Sequence, residues 1–141
     1  MDTTPSINTS KGLHIGLWVV QGLLAVAFGM AGAMKTFTPL PELAASLPWV
    51  LDVPAALVRF IGISELAAAF GLVLPSLLRV QPRLTALAGA GLVVVMVLAS
   101  IFHLSRGEAA ALPANFVLGG LAAFVAWGRT RKAPIQARKG V

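Results

Sequence analysis

The chain has 141 residues, of which 57% are hydrophobic and only 11% charged, against roughly 45–50% and about 25% in soluble domains. Its mean hydropathy is +0.87. A globule this small has too few polar side chains to cover itself in water, which excludes an ordinary soluble enzyme, a disordered chain and a nucleic-acid-binding domain.

The net charge of +6 follows topology and does not mark a nucleic-acid partner. Five of the eleven basic residues lie in 129–141 (Arg129, Arg131, Lys132, Arg138 and Lys139). Most of the others sit near the ends of apolar runs. With no cysteine in the chain, disulfide, thiolate and Cys-ligated zinc chemistry are excluded.

Residues 1–12 read as a polar tail. Four apolar runs follow: Leu13 to Met34; Pro54 to Leu78, expected to break near Pro75; Leu84 to Phe102; and Pro113 to Gly128. About 20 helical residues cross the ~30 Å hydrocarbon core. The fourth run is short unless it begins a turn earlier, near Ala109, so the spans are placed at 13–34, 54–78, 84–102 and 111–128. Residues 129–141 read as a basic tail. No run alternates with period two, which argues against a β-barrel. The fold class is therefore all-α, a polytopic four-transmembrane-helix bundle.

Lys11 and Ala31-Gly32-Ala33 also fit the n-region and cleavage site of a signal peptide. The apolar stretch of roughly 20 residues exceeds the 7–15 of an h-region, which favours a span. The positive-inside rule sets the orientation. With both termini in the cytoplasm, Lys11, Arg79, Arg83 and the five tail residues stay inside, and only Lys35 and Arg106 lie outside. Trp18 and Trp127 then fall near one interface and Trp49 near the other, as in an aromatic belt.

The connection from Lys35 to Val53 is the longest, punctuated by Pro39, Pro41 and Pro48. Residues 41–47 suit one short interfacial helix, resting on headgroups or lying over the outer mouth of the bundle. Small residues recur at packing spacing at Ala25, Gly29 and Ala33, at Ala67 and Gly71, and at Ala86 and Ala90, as close helix contact in lipid requires.

The polar residues inside the spans carry the functional signal, because an ionisable group at membrane depth costs about 2.5–3.5 kcal/mol and usually faces the protein interior. Glu65 lies near the middle of the second span. It should be protonated or paired with a cation, and Arg59, Lys35 or neither remains open. Arg59 precedes it by six residues, about 120° away on the helical wheel. Lys35 closes the first helix, His103 closes the third, Arg106 and Glu108 follow, and Asn115 opens the fourth. In the chosen topology these groups share the outer half, which suggests an outward-facing polar pocket floored by Glu65. Lys35, Arg59, Glu65, His103 and Asn115 are the candidate binding residues, and Glu65, His103 and Arg59 the candidate catalytic ones. Gln21 is expected to bond across helices and His14 to sit at an interface. No metal or haem is expected, with only two histidines near opposite ends and no HExxH.

The stretch Pro54-Ala-Ala-Leu-Val-Arg59-Phe-Ile-Gly62-Ile-Ser-Glu65-Leu, continuing to Gly71-Leu-Val-Leu-Pro75, resembles the second-helix signature of the DoxX-like family. Ala31-Gly32 ahead of Lys35, His103-Leu-Ser-Arg106-Gly107-Glu108 followed by Asn115, and Phe124-Val-Ala-Trp-Gly128-Arg129 are similar too. The resemblance spans roughly residues 13–129. It implies a small bacterial inner-membrane protein associated with membrane redox systems, in contact with lipid, with a redox-complex protein partner and a quinone or other small lipophile as ligand. Two alternatives stand beside this: a cofactor-independent membrane enzyme using Glu65 as general acid or base, and a non-catalytic assembly factor or carrier.

Overall fold

The computed structural model describes residues 10–140, so most of the expected N-terminal tail (residues 1–9) lies outside the described part. Every regular element described is helical. α1 runs Lys11–Phe37, a short α2 Leu40–Leu43, α3 Ala55–Leu78, α4 Arg83–Ser105 and α5 Leu112–Trp127. α1, α3, α4 and a segment built around α5 are long and apolar enough to cross a membrane.

Local chemistry sets the ends. The Ser10 side chain accepts from the Leu13 N–H and caps α1, supplying one of the acceptors that a helix start lacks. Pro54 opens α3, and Arg79 closes it in the left-handed region (φ 57°). Gln81 is left-handed as well (φ 47°), so the chain reverses within a few residues before α4. The expected break at Pro75 is absent, and α3 continues through it to Leu78. A proline in the last turn removes a single backbone bond, to the Gly71 carbonyl. The neighbouring Leu72 carbonyl gains a bond instead, from Gln21 Nε2 at 2.6 Å.

The fourth span is longer than α5. A 3₁₀ turn at Ala109–Ala111 precedes it, and a π turn at Gly128–Lys132 follows, together giving an apolar segment Ala109–Lys132 of 24 residues. The basic residues of 129–141 are not all exposed. Arg129 is only 5% exposed and Ala133 is buried. The rest of the segment folds back onto the α3–α4 turn, where Arg138 N–H bonds the Arg79 carbonyl at 2.8 Å.

α1 packs chiefly on α3, and α4 chiefly on α5 and then α3. The core comprises Leu24 and Phe28 of α1, Ala69 and Leu72 of α3, Leu92 and Met96 of α4, and Ala122 and Val125 of α5. Outward-facing side chains are also apolar, with Leu23, Phe60, Phe70, Leu87 and Phe116 all exposed. In water such a surface drives association; in lipid it is the matching solvent-facing surface. Helix contact in lipid depends on close backbone approach. A Cβ on Gly32 would lie 2.7 Å from the Gly62 carbonyl oxygen, and one on Gly62 would lie 2.7 Å from Thr36 Oγ1. Of the small residues expected at the seams, Gly29 meets Ala69 and Gly71 meets Ala88, whereas Ala67 and Ala90 are exposed. Ala and Gly are so abundant here that spacing alone does not select the packed ones.

α3 and α4 touch most closely near their shared turn. Ser76 Oγ and Thr85 Oγ1 are 2.7 Å apart. Toward their other ends, Phe60 and Leu98 are exposed and line a cavity between the two helices.

Candidate functional site

That cavity measures about 470 Å³ and draws its lining from all four spanning helices and from the α2–α3 connection. Its walls are mostly apolar, with Phe28, Leu57, Ile61, Met96 and Phe102 prominent. Its volume lies in the usual range of small-molecule sites, roughly 300–1,000 Å³. Five polar side chains interrupt the apolar lining: Lys35, Glu65, His103, Asn115 and Ser64, whose hydroxyl is already committed to the Phe60 carbonyl.

Lys35 comes from the last turn of α1 and Glu65 from the middle of α3. Lys35 Nζ donates to Glu65 Oε2 at 2.7 Å. The two residues are 9% and 3% exposed, so the pair is shielded and the counter-charge of Glu65 is Lys35. A lysine ammonium has three N–H groups, and this bond uses one. The flexible lysine stem lets the ammonium reach in from the end of its helix to a carboxylate near mid-span.

His103 lies near the C-terminal end of α4, followed by a turn through Gly107 (φ 72°) that returns Glu108 to the edge of the ring. Its Nδ1 is 2.6 Å from Glu108 Oε2. A carboxylate accepts, so Nδ1 carries the hydrogen and Nε2 is the ring nitrogen left for another group. Arg106 supports the arrangement, with Nε donating to Glu108 Oε1 and Nη2 to Asp52 Oδ2, both at 2.8 Å. The hydrogen bond from His103, then the one from Arg106, hold the Glu108 carboxyl below the usual carboxylate range. Bonds to Glu108 and Asp52 push the Arg106 guanidinium above its ordinary value. Trp49 stands edge-on to Phe102 and His103 with ring centroids 5.6 and 6.5 Å away. Leu47, Trp49 and Val53 therefore form part of the cavity wall, and Leu43, Val50 and Val58 anchor the connection in a small core of their own.

Asn115 in the first turn of α5 supplies the most pointed polar group. Its Nδ2 is buried and has no hydrogen-bond partner among the described residues. A buried amide donor left unmade costs about 1–3 kcal/mol, and this one belongs to a cavity-lining residue.

Arg59 departs from the sequence expectation. It does not line the cavity. Its Nη1 donates to the Lys35 and Thr38 carbonyls at 2.7 and 2.8 Å, closing the C-terminal end of α1. Those carbonyls lack intrahelical partners, and a cation there also complements the helix dipole. Asp52 and the burial of Arg129 were not anticipated. Asp52 lies in an irregular loop with no periodic pattern to announce it. For Arg129 a signal existed: Gln21 and His14 are polar groups on α1 that needed partners. Arg129 Nε donates to Gln21 Oε1 at 2.7 Å and Nη1 to His14 Nδ1 at 3.0 Å. Gln21 thus bonds across helices as expected, and His14 is a partner of Arg129.

A family model described as the DoxX-like family matches residues 19–125. No curated protein and no solved structure shows significant similarity to the chain.

Proposed function

The chain belongs to the DoxX-like family, and on that premise we propose that it is an inner-membrane protein that binds a small lipophile bearing hydrogen-bond acceptors, a quinone being the fitting class. It would serve as a binding or anchoring subunit of a membrane redox system, with both termini in the cytoplasm. The observation that carries this reading is the unpartnered Asn115 amide in a mostly apolar cavity. Such a donor calls for an acceptor, and the cavity adjoins exposed apolar side chains between α3 and α4.

The residues divide the work of binding. Apolar walls from α3 and α4 take the hydrocarbon part of the ligand. Asn115 Nδ2 donates to one oxygen and a spare Lys35 N–H to another, while His103 Nε2, the acceptor nitrogen, takes a hydrogen bond from the hydroxyl of the reduced form. Glu65, held by Lys35, is the nearby carboxylate able to take or give a proton. A quinone, when bound, supplies two-electron, two-proton redox chemistry; the protein's part is to place its oxygens among these groups and keep bulk water away.

A second reading, a cofactor-independent enzyme, is favoured by one specific feature. The His103–Glu108 pair and the Lys35–Glu65 pair contribute to one cavity, which is an acid–base arrangement suited to isomerisation or epoxide chemistry on a lipophilic substrate.

Mass spectrometry of the purified protein in mild detergent tests the first reading. Wild type should carry a quinone or similar lipophile that is lost from Asn115→Leu and Glu65→Gln. Wild type carrying bulk phospholipid alone would overturn it. Chemical conversion of the bound molecule on incubation without any electron donor would favour the second reading.

A further inference from the structure

At the opposite end of the bundle from Lys35 and His103 lies a second cavity of about 440 Å³. Its walls are the α3–α4 turn, Arg79 to Arg83, and the C-terminal segment Pro134 to Ala137, with Arg129 between them. Arg79 Nε donates to the Gln136 carbonyl at 2.8 Å, which ties the segment to the turn and shapes the cavity.

Three arginines line this space, and among the described residues no acidic one does. The chain has five acidic residues. Glu42, Asp52 and Glu108 belong to the other end, and Glu65 is paired with Lys35; the fifth, Asp2, lies outside the described residues. Arg129 is 5% exposed. Its partners are all neutral: Gln21, His14, the Ala133 carbonyl and the face of Trp18, whose ring lies 5.4 Å from Cζ. Its Nη2 is buried and has no partner among the described residues. A buried guanidinium with no counter-charge among the described residues is costly, and the unused nitrogen offers a further N–H donor. Arg79 and Arg83 are exposed and add charge from the accessible side. The N-terminus of the 23-residue α4 begins at Arg83 and contributes the positive end of its dipole.

We propose that this cavity is a phosphoryl-binding site, seating the phosphate of an anionic lipid headgroup or of a free phosphate compound against Arg129, with Arg79 and Arg83 closing over it. Arginine suits the role because its planar fork matches phosphate oxygens in bidentate fashion. The position at the ends of the spanning helices is where headgroups reside.

The test uses the full chain. Native mass spectrometry would count phosphatidylglycerol retained after reconstitution in vesicles of equal parts phosphatidylglycerol and phosphatidylcholine. Calorimetry in detergent would measure inorganic phosphate and glycerol 3-phosphate. Retained phosphatidylglycerol without binding of the soluble compounds identifies a lipid headgroup site, and binding of the soluble compounds identifies a free-phosphate site. Arg79→Gln/Arg83→Gln leaves the buried Arg129 in place and should weaken whichever ligand binds by about tenfold or more, the loss expected for charge-assisted hydrogen bonds. Arg129→Gln, if it folds, should abolish binding. Retention of phosphatidylglycerol equal to that of phosphatidylcholine, together with no heat from either phosphate compound, overturns the proposal, as does undiminished binding in the double variant.

Discussion

Lys35 Nζ and Glu65 Oε2 lie 2.7 Å apart across the seam where Gly32 and Gly62 bring the α1 and α3 backbones together. The ion pair and the close approach are one structural unit. The glycines bring the backbones close enough for a carboxylate near mid-span to be reached by a lysine one turn from the end of its own helix. Separating the helices would strand both charges.

Removing one partner should therefore cost far more than removing both. Lys35→Met or Glu65→Leu alone leaves a buried charge and is expected to destabilise by about 3–5 kcal/mol, whereas the double variant should be close to wild type. A double-mutant cycle on unfolding in detergent measures the difference. Additive single effects would show that the pair is not coupled.

Gly62→Ala should force α1 and α3 apart, because the new Cβ meets Lys35 Cβ and the Thr36 backbone nitrogen at 2.8 Å, atoms that cannot swing away. The expected destabilisation is about 1–3 kcal/mol, as for overpacked cores. Gly91→Ala, where a Cβ meets nothing within 4 Å, is the matched control and should be neutral or slightly stabilising.

Asn115→Leu separates binding from stability. Deleting an unpartnered buried amide should leave the ligand-free protein as stable as wild type, or more stable by up to about 1–3 kcal/mol. Retention of a small lipophile should fall in the same variant. Equal losses in both would place Asn115 in the structure of the bundle and not in a ligand site.

Acid should loosen the turn after α4. Glu108 has a depressed folded pKa, caused first by the His103 hydrogen bond and then by Arg106. Its contribution is fully present above the unfolded value, about 4.3, and is lost as the pH falls through the folded one. Trp49 touches the His103 ring, so its fluorescence in a Trp18→Phe/Trp127→Phe background should change below about pH 4. Glu108→Gln should remove that step.

Cysteine labelling checks the proposed topology. The chain has no cysteine of its own, and Ser46 and Thr130 are both exposed. Ser46→Cys should label from outside the cell and Thr130→Cys only after the membrane is permeabilised. Labelling of both from one side would be incompatible with four spans.

Hydropathy made the four spans legible, because lipid demands about 20 apolar residues whatever the fold. The cavity residues Lys35, Glu65, His103 and Asn115 were legible for a related reason: polar groups in a lipid-embedded chain have few places to go. Arg59 shared their depth but not their direction. Depth follows from position along a helix, whereas direction depends on where the neighbouring helix ends. α1 continues to Phe37, three residues past the expected boundary at Met34, and its terminal carbonyls are what Arg59 binds. Arg129 was obscured by the basic residues around it, which in sequence look like an ordinary charged tail. The packing seam between Gly32 and Gly62 was likewise hidden among many glycines and alanines.

The apolar layer of Leu24, Phe28, Leu72, Leu92 and Val125 separates the two polar ends. Gln21 meets the backbone at Leu72, seven residues or about 10 Å along the helix from Glu65, and among the described residues no polar side chain of the core cluster fills that interval. The layer is an apolar barrier between the two ends. Under the proposed function, a proton exchanged at Glu65 would enter and leave on the Lys35 side. Under that function, a redox partner would therefore couple to this protein through its ligand and not through a proton path along the bundle.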